Sequence, residues 1–94
     1  MTHSERDKPM PNIPSHLRSM VDQDGAAILD AARGSITTLN PTGAFIWSGL
    51  EQAKHPDVIA TELAEATGES LEVVQLEVNS FIESLRQQQL VSQG

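Results

Sequence analysis

One dipeptide, Asn40-Pro41, divides this chain into halves with different backbone plans. Just before it, Ser35-Ile36-Thr37-Thr38-Leu39 is rich in β-branched residues and reads as a strand. Just after it, apolar residues recur at helical steps. Asn40 is a good helix cap, and Pro41 suits the first helical position, where its missing N–H would have no intrahelical partner. The spacing predicts a helix to about Gln52, with Ala44, Trp47 and Leu50 on one face and Phe45 and Ile46 widening it.

Upstream of the corner, His16 to Asp22 and Ala26 to Asp30 read as two further strands. Gln23 to Gly25 is the first turn, and the segment ending at Gly34 is the second. Three strands joined by short turns form an antiparallel meander. Downstream, Lys54-His55-Pro56 breaks the first helix, and Pro56 starts a second with Val58, Ile59, Leu63 and Ala66 as its buried stripe. Thr67-Gly68 ends it. Ser70 caps a third helix running to about Gln88, whose core stripe is Leu71, Val74, Val78, Phe81, Ile82 and Leu85. Val73 and Leu76 lie more than about 100° from the centre of that stripe, at about 100° per residue, and share their side with Glu77 and Ser80. The expected architecture is α+β, a three-stranded antiparallel sheet followed by three helices, of winged helix-turn-helix type. Residues 1–15 contain three prolines and few apolar residues and read as a flexible tail; residues 16–94 form the domain.

Charge narrows the function classes. The net charge is -7, and the span from Asp57 to Glu83 holds Asp57, Glu62, Glu65, Glu69, Glu72, Glu77 and Glu83 with no Lys or Arg. A nucleic-acid binder needs a basic stripe, and this half would repel phosphate. That argues against a winged-helix transcription regulator. No apolar run approaches the roughly 20 residues of a membrane span, and the N-terminus has no secretory core, which points to the cytosol.

No catalytic constellation stands out. With no cysteine there is neither a disulfide framework nor a thiolate site. His3, His16 and His55 lack ligand partners at useful spacing, so no metal and no cofactor is expected. Asp22, Asp24 and Asp30 lack the acid spacing of a calcium loop and read as turn residues. Ser35, Thr37 and Thr38 have no neighbouring base. A binding module fits better than an enzyme.

The residues Ile28-Leu29-Asp30, Gly34, Leu39-Asn40, Thr42-Gly43-Ala44, Ile46-Trp47 and Leu85 through Leu90-Val91 follow one another in the order and spacing of the PqqD family, which the chain resembles over residues 17–91. The resemblance implies a winged-helix-like fold that binds an unstructured leader peptide rather than DNA. The leader adds as an extra strand on the third-strand edge and lies in the groove between that strand and the third helix. Among relatives, "LNPTGAFIW" in a small protein looks most like the free-standing recognition half of a split lasso-peptide B protein. That implies a separate leader peptidase, and a cyclase, as partners in maturing a ribosomally synthesised peptide. The third strand has Ile36 and Thr37 where relatives often have two aromatics, which implies a patch of different shape. The alternatives are a PqqD-like peptide chaperone of another modified-peptide pathway and a non-catalytic adaptor subunit of an enzyme.

The residue reading and the resemblance meet at one place. An edge strand offers unpaired N–H and C=O groups to an incoming peptide, and the third strand has no proline to block pairing. The expected peptide-binding residues are Ser35, Ile36, Thr37, Thr38 and Leu39 on the strand, and Val73, Leu76, Glu77 and Ser80 on the third helix. The same edge would allow either a monomer or an edge-paired dimer.

Overall fold

The computed structural model describes residues 11–93. The elements in order are β1 (Pro11–Asn12), β2 (Leu17–Asp22), β3 (Gly25–Asp30), β4 (Ser35–Leu39), α1 (Pro41–Glu51), α2 (Pro56–Thr67), α3 (Leu71–Gln87) and β5 (Ser92–Gln93). The main sheet has the order β2-β3-β4, antiparallel throughout. This is the expected α+β arrangement, with the third strand of the meander, β4, at one edge. The winged-helix-like order of three strands and three helices is as read from the sequence.

Local chemistry explains the helix boundaries. The Asn40 side chain accepts the Gly43 N–H at 2.7 Å, and Pro41 opens α1. His55 caps α2 through Nδ1, which accepts the Asp57 N–H at 3.1 Å. Ser70 caps α3 by accepting from Val73 N–H at 3.3 Å. Gly68, with φ of 78°, ends α2 by donating to the Ala64 carbonyl.

The core forms where α1 and α3 meet α2 and the inner sheet face. Ile28, Ile46, Trp47, Ile59, Val74, Val78 and Leu85 are fully buried, and Leu90 and Val91 close it from the C-terminal side. Gly49 permits the close approach of α1 to α2, because a Cβ there would stand 2.7 Å from the Ile59 side chain.

Four positions differ from the sequence reading. Val58 and Leu71, expected in core stripes, are exposed in the first turns of their helices, and the buried stripes begin at Ile59 and Val74. Ala66 is also exposed, while Ala60 takes the buried place in α2. Phe45 is exposed at the margin of the α1 core face. The described chain also begins before the expected domain start. Pro11–Asn12 pairs with Ser92–Gln93, and Ile13 packs against the core. Residues 1–10 of the expected tail, including His3, lie outside the described residues.

Candidate functional site

Among the described residues the main sheet is uncovered on one side, and β2 and β4 are its two unpaired edge strands. Cross-strand partners share a face, so the pairs Ala26↔Leu39 and Ile28↔Thr37 face the helices, where Ile28 is buried and Leu39 packs on the core. The pairs Ala27↔Thr38 and Leu29↔Ile36 face away from them. Ile36 is 68% exposed, and together with Leu29 and Met20 it gives that outer face an apolar character. The outer edge of β4 has no pairing strand among the described residues. Alternate N–H and C=O groups of Ser35 to Leu39 therefore point away from the sheet.

The two ends of β4 are tied to different levels of α3. Before the strand, the Arg33 guanidinium reaches the Gln88 carbonyl at 3.2 Å and the Gln89 side chain. After the strand, Asn40 lines a cleft shared with Glu77 and Phe81 of α3. So β4 runs alongside the C-terminal half of α3 in the opposite direction. The two do not pack extensively on each other: α3 packs on α2, and β4 on β3 and α1.

The cleft has a volume of about 300 Å³. Ile46 and Leu63 form its apolar base, Phe81 its wall, and Asn40, Thr42, Thr67, Glu69 and Glu77 its rim. Gly43 makes the arrangement possible, because a Cβ there would meet the Phe81 ring at 3.0 Å. Neither Glu69 nor Glu77 forms an ion pair among the described residues.

The strip on α3 lies off the core. Val73 is 48% and Leu76 70% exposed, and Glu77 and Ser80 are exposed beside them. Val73 sits one helical turn before Glu77, so it extends the strip past the cleft. On β4, Ser35, Ile36 and Thr38 are exposed and Thr37 and Leu39 half-buried. The structure thus places Glu77 beside the end of β4 and leaves Ile36 on the outer sheet face. Sequence reading assigned Phe81 to the core and gave no role to Thr42 or Gly43. The Thr-Gly pair just inside a helix was the available signal.

No grouping of three or more His, Asp or Glu residues able to hold a metal occurs among the described residues. Asp22 works as a turn residue, accepting the Asp24 N–H at 2.8 Å. Asp30 is the buried carboxylate at the β3–β4 turn.

A family model described as coenzyme PQQ synthesis protein D (PqqD) matches residues 25–91. Among solved structures, one described as TbiB1 in complex with the TbiA(beta) leader peptide is similar, with a TM-score of 0.80 and 23% identity. The match covers 86% of this chain and 94% of that one. At that identity the likeness is one of fold. No curated protein matches the chain.

Proposed function

The chain belongs to the PqqD family, whose model spans residues 25–91, and from that premise we propose that it binds the leader segment of a ribosomally synthesised precursor peptide. The leader adds as a fourth strand on the β4 edge and lies between β4 and α3. The observation that carries this reading is the open edge of β4, five residues without proline and with no pairing strand among the described residues, set beside α3 at both of its ends. Main-chain hydrogen bonds to such an edge give affinity, and side-chain pockets beside it give specificity. Val73, Leu76, Glu77 and Ser80 form the opposite wall, and the cleft rimmed by Glu69 and Glu77 takes a side chain from the end of the added strand. The similar structure TbiB1 holds a leader peptide, which supports the same occupant here.

The role is to hold a substrate that other proteins modify. In a lasso-type pathway those are a separate leader peptidase and a cyclase, working with this domain in the cytosol. No helix among the described residues is long and apolar enough to cross a membrane. The acidic α2–α3 surface favours a basic leader, mainly through the rate of encounter. Calorimetric titration with the leader of the cognate precursor peptide tests the reading. Saturable binding is expected; a folded protein that takes up no leader at high micromolar concentration contradicts it.

A further inference from the structure

Two of the three helices end on a non-glycine residue in the left-handed region. In α3 that residue is Gln89, with φ of 62°. The Leu90 N–H reaches back to the Leu85 carbonyl at 2.9 Å and the Gln89 N–H to Arg86 at 3.0 Å, the bond pattern that normally places glycine at this position. A side chain there is unfavourable, and at Gln89 a side chain from elsewhere in the fold holds the turn. Arg33 does so from 55 positions away in sequence. Its guanidinium donates to the Gln88 carbonyl and to the Gln89 side chain. A cation is also well placed at a helix C-terminus, where unpaired carbonyls concentrate negative charge.

Arg33 is itself held. The Asp30 carboxylate is buried, with Oδ2 at 3.6 Å from Arg33 Nε and Oδ1 accepting the Arg33 N–H at 3.2 Å. His16 Nε2 stands 3.5 Å from the same carboxylate. The Asp30 carbonyl accepts from Arg33 and Gly34, closing the β3–β4 turn. One side chain therefore joins the start of β4 to the end of α3, the two walls of the groove. Elsewhere along the groove these elements do not pack extensively on each other.

We infer that Arg33 is a positioning residue for peptide binding: oriented by Asp30, it pins the β4 edge to the C-terminus of α3 and so fixes the groove. This rests on the leader-binding reading above, and its test separates the two. Arg33→Ala is compared with wild type by leader titration and by amide hydrogen exchange in the absence of leader. Exchange is expected to rise about fivefold or more at Ser35 to Leu39 and at residues 86–91, with β2 unchanged, because a local opening is made easier. Leader affinity is expected to fall about tenfold, because without the pin only about one free molecule in ten holds the groove in its binding form. Arg33→Lys restores part of both, since an ammonium can reach one carbonyl but cannot fork. Arg33→Ala/Gln89→Ala is expected to be no worse than Arg33→Ala alone. Unchanged exchange at β4 in Arg33→Ala overturns the inference, whether or not leader binds. Faster exchange with wild-type affinity overturns it as well. A wild-type protein that binds no leader overturns the earlier reading, and the exchange result then decides the pinning alone.

Discussion

Ala53, like Gln89, closes a helix with a left-handed backbone, at φ of 63°. The Lys54 N–H bonds the Gly49 carbonyl at 3.0 Å and the Ala53 N–H bonds Leu50 at 3.0 Å, the same closing pattern as in α3. Among the described residues no side chain bonds the end of α1 as Arg33 bonds the end of α3. Ala53→Gly is expected to stabilise the domain by about 1 kcal/mol, the cost of an L-residue in that region, and to raise the thermal midpoint by several degrees. Calorimetry checks it, and a lowered midpoint would count against the strain. Trp47 is the opposite case. It is fully buried, and its indole Nε1 has no hydrogen-bond partner among the described residues. Truncation to alanine is expected to cost about 3–5 kcal/mol, close to the whole stability of a domain this small. Trp47→Ala should therefore be unfolded by circular dichroism at 25 °C. Trp47→Phe should stay folded, since it keeps most of the apolar volume and removes a donor without a partner among the described residues. A folded alanine variant with a cooperative melt near wild type would refute this view of the core.

At the scale of elements, α3 has two tasks on two faces. Val74, Val78, Ile82 and Leu85 are buried against the rest of the domain, while Val73 and Leu76 face outward. Val73→Glu and Leu76→Glu should each weaken leader binding by more than about 1 kcal/mol, the scale of an interface anchor. Both should leave the melt nearly unchanged, as expected of exposed positions. Unchanged affinity in both variants would move the second wall of the groove elsewhere. Element boundaries were legible because their signals are local: Asn40 with Pro41, Pro56, Gly68 and Ser70 each act within one turn. The exposure of Val58 and Leu71 was not legible, because both have the right spacing and only the position of neighbouring helices leaves them outside. The β1–β5 pairing was hidden for another reason. Two residues on each side are too few to show a period, and the partners lie at opposite ends of the chain.

Among the described residues the main sheet is covered by helices on one face and left open on the other, with β2 and β4 as its two unpaired edges. Its candidate site was half visible in sequence. The strand Ser35 to Leu39 and the off-stripe residues Val73 and Leu76 could be placed from period alone, because 2 and 3.6 residues per repeat assign faces directly. The cleft that Asn40, Gly43 and Phe81 share with Glu77 could not. It depends on how close α1 comes to α3, which the absence of one Cβ at Gly43 decides. The link from Arg33 to Gln88 and Gln89 was equally out of reach, since nothing local marks an arginine in a turn as a helix cap.

The central claim is that the leader is held by its backbone, as a strand. Its most direct test is a titration series with leader peptides N-methylated at one residue at a time. A strand on the β4 edge directs alternate amides toward the sheet. Affinity should therefore fall sharply at every second position within the bound segment and stay near that of the unmodified peptide at the positions between. Loss at no position, or equal loss at all of them, would contradict strand addition.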